Sequence, residues 1–317
     1  MKSKKTLTRN AKRNIFFGLM VVLPLLQFVI FYGIINLNTI FMAFKKYEPL
    51  LGADVGYATS FAGFENFKVV IEMLSYGENW KMITNSLILW FFKLVVGLTM
   101  SILFSYYVYK RRRGARFFRI VLFLPNVISN LIMVYLFRYL VNNAMQTVFD
   151  MQFGLLDNPN TNFGTILFFN LWLGFASQTL LFTSAMSSIN ESIVEAAHID
   201  GANSITELFH ITLPMIYPTL TVFIVIGIAE MFVDQMSLIT FYDKFSILPN
   251  LRTVGYYLFQ QAYESAIIPT TSWVTNHDYG KLSYSELSAF GVMISLVIIP
   301  ISFGVKKFLE SLSPIGD

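Results

Sequence analysis

Six stretches of about twenty mostly apolar residues recur along this chain, and their length limits the possible fold more than any other feature. A helix needs roughly 20 apolar residues to cross the hydrocarbon core, and in lipid every backbone polar group must be bonded within the protein. The stretches are Ile15–Leu37, Ser86–Tyr109, Ile120–Leu140, Gly164–Met186, Met215–Phe241 and Leu287–Phe308, named spans 1 to 6 here. Charged residues make up only 13% of the 317 positions, against about 25% in a soluble domain. The surface of a soluble domain this size would need the missing charges, so lipid must solvate much of it. The expected fold class is all-α integral membrane, with six transmembrane helices. Cysteine is absent, which excludes disulfides, thiolate metal sites and a catalytic thiol. Span 1 follows a basic start, as a secretory signal does. Its apolar run is too long for a signal core, however, and no small-x-small cleavage site follows, so it is expected as an uncleaved span.

Lysine and arginine placement sets the orientation. Lys2, Lys4, Lys5, Arg9, Lys12 and Arg13 precede span 1; Lys110, Arg111, Arg112, Arg113, Arg116 and Arg119 lie between spans 2 and 3; Lys306 and Lys307 end span 6. With six spans all of these fall on one side, which makes both termini cytoplasmic. The expected division is a tail at 1–14, span 1 at 15–37, an extracytoplasmic segment at 38–80, a multi-span membrane domain at 81–309 and a tail at 310–317.

The loop Ser187–Pro214, between spans 4 and 5, should be cytoplasmic yet has no Lys or Arg. It carries Glu191, Glu195, Asp200 and Glu207. Asn190 is placed to cap a first helix. Gly201 can take the left-handed conformation that ends it. Ser204 and Glu207 match the S-x-x-E capping box of a second helix, whose apolar face is Ile205, Leu208 and Phe209. Pro214 stops that helix from running on unbroken. The expected product is a bent helical knob with an apolar and acidic surface that suits a protein partner.

The run Glu195-Ala196-Ala197, Asp200-Gly201-Ala202, Phe209, Ile211, Leu213-Pro214 and Pro218 resembles the EAA loop of binding-protein-dependent ABC importer permeases, and specifically their carbohydrate-uptake branch of MalF-like and glycerol-3-phosphate permeases. Weaker elements agree: Gly63 with Asn66-Phe67, Asn85-Ser86, Arg116 with Phe118-Arg119 and Leu124-Pro125, and Thr253 with Tyr256-Tyr257. The resemblance implies a MetI-like core of five spans plus one N-terminal span. It also implies a knob that docks in a cytoplasmic ATPase subunit and passes its closure to the spans. The implied partners are a second permease subunit, usually a different chain, two ABC ATPase subunits that hold ATP and magnesium, and an external solute-binding protein. Trp80, Tyr263 and Trp273 in the outer loops are candidate contacts for the last. Two features depart from the family pattern: the stretch Ala266–Ser283 is long, and Tyr242-Asp243-Lys244 stand where a G-G-P turn is usual.

The chain itself lacks the means to bind ATP through a phosphate loop. Its only Gly-Lys pair, Gly280-Lys281, is followed by Leu282, and Thr275 stands where G-x-x-x-x-G-K-[ST] requires glycine. His198, His210 and His277 lack zinc-site spacing, and no cofactor, metal or nucleic acid is expected on this chain. Ionisable groups inside spans are costly and face a cavity or each other. Span 5 holds Glu230 and Asp234 one helical turn apart on one face, with Gln235 beside them and Phe232 nearby. Lys93, Arg138, Asn126, Asn130, Asn170, Trp172 and Gln178 are the other polar or amphipathic residues within spans. Two readings stay open. Glu230, Asp234 and Gln235 bond sugar hydroxyls while Trp172 and Phe232 offer faces to sugar C–H groups, or Glu230 pairs with Lys93 or another cation and merely joins spans.

The reading is therefore a non-enzymatic pore subunit that moves a sugar or oligosaccharide by alternating access. Rivals are the same machine carrying glycerol phosphate, peptide or another solute, an ion-driven secondary transporter, and a membrane hydrolase. The secondary transporter would show broken-helix repeats in each half, and no repeat is visible. The hydrolase would need clustered catalytic groups at one depth, which only Glu230 and Asp234 approach.

Overall fold

The computed structural model describes residues 8–49, 57–77, 79–242, 249–267 and 282–313. Lys2, Lys4, Lys5, Asp243, Lys244, Trp273, Thr275, His277, Gly280, Lys281 and most of the 266–283 stretch lie outside the described residues. The chain divides into two compact units, Met1–Met73 with Ser265–Met293 and Leu74–Glu264 with Ile294–Asp317.

In the first unit, span 1 is helical over Lys12–Met42, 31 residues that extend the expected boundaries at both ends. Its side chains are exposed almost throughout, as befits a helix solvated by lipid. A hairpin follows, in which β1 (Lys45–Pro49) pairs antiparallel with β2 (Tyr57–Phe61). Asn66, in the helix Glu65–Ser75, is buried. Its amide donates to the carbonyls of Ala43 (2.8 Å) and Lys45 (2.9 Å). Its neighbour Phe67 packs with Phe44 and Phe64. The Gly63…Asn66-Phe67 element therefore holds the exit of the span 1 helix.

In the second unit, span 2 is one helix over Trp80–Tyr109, so Trp80 opens a span instead of standing in an outer loop. A π turn at Lys93–Gly97 widens it. Span 4 is helical over Asn162–Ser187, and its pairing with span 2 is the most extensive in the unit. Lipid gives helices no hydrophobic drive to associate, so close approach and polar bonds carry such pairings. The buried Ser105 donates to Thr179 O at 2.9 Å, and the buried Ser101 lies 3.0 Å from Gln178 Oε1. One apolar core gathers Leu89, Val134, Phe137, Ile166, Phe169, Leu238, Phe241 and Tyr256. A second gathers Phe182, Met186, Ile189 and Ile216.

Two expected spans are not straight. Span 3 is the helix pair Ala115–Val127 and Asn130–Phe149, bent by 105°. Ile128 and Ser129 leave the helical region, with ψ 142° and 134°. Hydropathy read through this corner because apolar content carries no information about axis direction. Span 5 begins as the helix Tyr217–Ala229, which the second knob helix, Ser204–Met215, enters through a 70° bend at Ile216. Pro214 and Pro218 flank the bend and withhold two backbone donors. The span 5 helix ends at Ala229, twelve residues short of the expected Phe241. Met236 and Ser237 then take φ 52° and 55° before a short helix, Leu238–Tyr242, resumes. Span 6 lies within the helix Tyr284–Ser311. Among the described residues four helices are long and apolar enough to cross a membrane, or up to six spans if each bent pair counts as one.

Candidate functional site

The knob forms as its residues dictate, with one correction. Asn190 accepts from Ser192 N at 3.1 Å and starts the helix Glu191–Ile199. Gly201, at φ 84°, ends it. Ala202 N donates to Ala197 O (2.9 Å) and Gly201 N to His198 O (3.1 Å), the paired bonds of a Schellman turn. The second helix is capped by Asn203, not Ser204: its side chain accepts from Ile205 N (3.0 Å) and Thr206 N (2.8 Å). Glu207 therefore does not close a capping box. Either residue satisfies the local pattern, and the asparagine one position earlier wins because its carbonyl reaches both amides. Of the expected apolar face, Ile205 and Phe209 are exposed and Leu208 is buried. Ile199 is the most exposed apolar residue of the knob, at 86%. Glu195, Ala196, Asp200 and Gly201 are also exposed, while Ala197, Ala202, Leu213 and Pro214 are partly covered.

Glu207 instead sits fully buried in an ionic cluster. Its carboxylate accepts from Lys110 Nζ at 2.9 and 2.7 Å and lies 3.0 Å from His198 Nε2. Burial pushes its pKa up. The hydrogen bonds and charges of Lys110 and His198 outweigh that and hold it below the ordinary carboxylate range. Around the cluster, Tyr106 Oη donates to Ser204 O (2.8 Å) and Arg112 to Ser204 Oγ (2.9 Å). The knob is thus fastened to the end of the span 2 helix and to the basic turn after it. Local spacing could not reveal this, because the partners are 97 residues apart. The only signals were an acidic residue with a second use and a lysine at a helix end.

The other candidate residues meet where span 5 breaks. Glu230 and Asp234 do not share a helix face, since Glu230 is the C-cap and Asp234 lies in the irregular turn beyond it. Lys93 pairs with Asp234, not with Glu230. Asp234 also accepts from Met236 N at 2.8 Å, a local bond that competes with helix continuation. Asn170 donates to Met236 O (3.1 Å) and Thr253 to Asp234 O (2.7 Å). Gly255 approaches so closely that a Cβ there would stand 2.2 Å from Val233 O. Asn85 donates to Asn250 O (2.8 Å) and Arg252 O (2.9 Å), and Ser86 accepts from Val254 N (2.9 Å). The Asn85-Ser86 pair thereby locks the returning chain to span 2, and Thr253 ties it to the break in span 5.

A cavity of about 60 Å³ opens here, lined by Trp90, Lys93, Gln178, Phe223, Glu230 and Asp234 among others. That volume holds a few waters and is far below the ~300–1,000 Å³ of a typical ligand pocket. Glu230 is exposed and has no bonded partner among the described residues, and the buried Trp90 Nε1 also lacks one. Phe232 and Gln235 are half-buried outside the lining, and Trp172 packs against the core edge-to-face with Phe169. Tyr263 stacks with Phe259. Among the described residues no cluster of His, Asp and Glu could hold a metal.

These features define a multi-span membrane chain with one broken, polar-lined span and one protruding helical knob. The chain belongs to the family of binding-protein-dependent transport system inner membrane components, matched over residues 93–312. It is 31% identical over 191 residues to the sn-glycerol-3-phosphate transport system permease protein UgpA of Salmonella choleraesuis (strain SC-B67), covering 58% of this chain and 63% of that one. It is 27% identical over 215 residues to the UgpA of Shigella dysenteriae serotype 1 (strain Sd197), covering 66% and 72%. The first alignment thus spans less than two thirds of that relative's length. The fold matches a chain of a bacterial ABC transporter involved in the import of the acidic polysaccharide alginate, with TM-score 0.70, 18% identity and coverage of 96% and 98%. It also matches a chain of the bacterial alginate ABC transporter in complex with alginate pentasaccharide-bound periplasmic protein, with TM-score 0.71, 19% identity and coverage of 98% and 99%. The MetI-like permease fold is therefore the fold of this chain.

Proposed function

We propose that this chain is one half of the translocation pore of an ATP-driven importer for a sugar or oligosaccharide, working by alternating access. The observation that carries the reading is the knob: a rigid, doubly capped helix pair that presents Ile199, Ile205 and Phe209 to solvent. Exposed apolar residues on a rigid protrusion suit a protein cleft, and a rigid element transmits a push that a flexible loop would absorb. Glu195, Ala196, Ala197, Asp200, Gly201, Ala202, Phe209, Leu213 and Pro214 form or shape the docking surface. The partners are two ATPase subunits, which carry ATP and magnesium, a second permease chain and a solute-binding protein on the far side. Both termini are cytoplasmic, as the basic segments dictate.

Glu230 is the candidate for cargo contact in this chain. An exposed carboxylate within a span avoids lipid, so it faces water or protein. Asp234 serves the architecture of the break instead. The relatives' names favour a polyol phosphate as the second cargo reading. The test is co-purification of the full chain with its candidate ATPase subunit and second permease, followed by uptake from proteoliposomes. A chain that never retains an ATPase subunit sinks the importer reading. Retention with uptake of glycerol 3-phosphate and no sugar selects the second cargo.

A further inference from the structure

The knob lies in sequence between spans 4 and 5, yet its bonds run elsewhere. Glu207 is buried against Lys110 and His198, and Ser204 is held by both Tyr106 and Arg112. Lys110, Tyr106 and Arg112 all belong to the end of span 2 or the turn after it. Span 2 is hydrogen-bonded in turn to span 4 through Ser105 and Thr179. Towards span 5, by contrast, the chain bends by 70° at Ile216 between two prolines. The knob is therefore tied to spans 2 and 4 and hinged to span 5. Span 2 also carries Lys93, seventeen residues or about 25 Å before Lys110 along a helix rising 1.5 Å per residue. Lys93 pairs with Asp234 in the broken end of span 5.

We propose that Glu207 and Lys110 are positioning residues that make span 2 the element receiving the ATPase stroke, with the Lys93–Asp234 pair as its far contact on span 5. This rests on the coupling role given above to the knob. In this scheme the knob and span 2 travel as one body. The broken end of span 5 is drawn along through the ion pair, while the helix Tyr217–Ala229 pivots at Ile216.

The chain has no cysteine, so spin labels can be placed singly on exposed residues. Two label pairs in the assembled transporter report on the knob: Glu191 with Arg113, from the knob to the span 2 turn, and Glu191 with Val222, from the knob to span 5. Trapping with ATP and vanadate is expected to leave the first distance unchanged and to move the second. Equal changes in both would overturn the proposal without any further variant. In Glu207→Gln the ATPase subunits should still co-purify, the first distance should broaden, and the ATP-driven change in the second should fall at least twofold. Exchanging the charges, Lys110→Glu with Glu207→Lys, should restore both. A Glu207→Gln transporter that moves like the wild type, or one that loses its ATPase subunits, would also overturn it. If neither distance responds to trapping while the ATPase is bound, the coupling role of the knob itself fails.

Discussion

Asp234 answers two demands at once: its carboxylate pairs with Lys93 of span 2, and its Oδ1 accepts from Met236 N at 2.8 Å. The ion pair thus closes on the same side chain that turns the backbone out of span 5. Breaking a buried pair from one side is costly because the remaining charge is stranded. Lys93 and Asp234 are 35% and 23% exposed, which softens the loss. Asp234→Asn is therefore expected to destabilise the chain by about 1–3 kcal/mol, less than the ~3–5 of a fully buried pair. Lys93→Met added to Asp234→Asn should recover part of it. Thermal unfolding in detergent measures both, and equal stability of wild type and Asp234→Asn would rule the pair out as a structural tie.

Glu230 should behave in the opposite way. It is exposed and unpartnered among the described residues, so Glu230→Gln should change stability by less than about 0.5 kcal/mol. Its effect should appear as weaker cargo uptake, measured as a rise in the half-saturating concentration. An unchanged concentration dependence would remove it from the cargo path.

The corrected cap gives a direct comparison. Asn203→Ala removes a side chain that accepts two backbone bonds and should cost about 0.5–2 kcal/mol. Ser204→Ala leaves that cap whole and should cost less. The reverse order in unfolding experiments would return the cap to Ser204.

Gly201 stands at φ 84° with nothing within 4 Å of a built Cβ, so a side chain there meets backbone strain and not a clash. Gly201→Val should cost about 1–2 kcal/mol and tilt the two knob helices. Transport per ATP hydrolysed should fall, while Gly201→Asn should be milder because asparagine tolerates this region. Both variants coupling like the wild type would remove the hinge from the mechanism.

The buried Glu207 also fixes a pH dependence. The hydrogen bonds and charges of Lys110 and His198 hold its folded pKa below the ordinary carboxylate range. The stability it contributes is therefore fully present above about pH 4.5 and lost as the pH falls through the depressed folded value. In a His198→Gln background, which removes the other titratable group on the carboxylate, the stability difference between Glu207 and Glu207→Gln should be flat from about pH 5 to 7 and shrink below that. A difference that grows on acidification would mean that the carboxylate is not held as an anion.

Much of this architecture was legible in the residues. Apolar length alone located spans 1, 2, 4 and 6, and Asn190 and Gly201 marked the ends of the first knob helix. What stayed hidden has two physical sources. Hydropathy counts composition and not direction, so the corner at Ile128–Ser129 and the stop at Ala229 were read through as continuous spans, whereas Pro214 marked the bend that forms at Ile216. Long-range pairing leaves no local trace, so Lys110 read as topology and Glu207 as a cap. Lys93 was placed inside a span correctly, but the carboxylate named for it was Glu230, since helical spacing assumed a helix that ends at Ala229, five residues before Asp234.

That early stop in span 5 has a consequence for the chain in a bilayer. The helix Tyr217–Ala229 has 13 residues and measures about 20 Å, against a hydrocarbon core of roughly 30 Å. The crossing is finished by irregular backbone, which no lipid tail can satisfy. Here the chain satisfies it from within: Asn170 and Thr253 donate to the carbonyls of Met236 and Asp234, and the Asp234 side chain accepts from Met236 N, so these three side chains stand in for the helical turns that span 5 lacks.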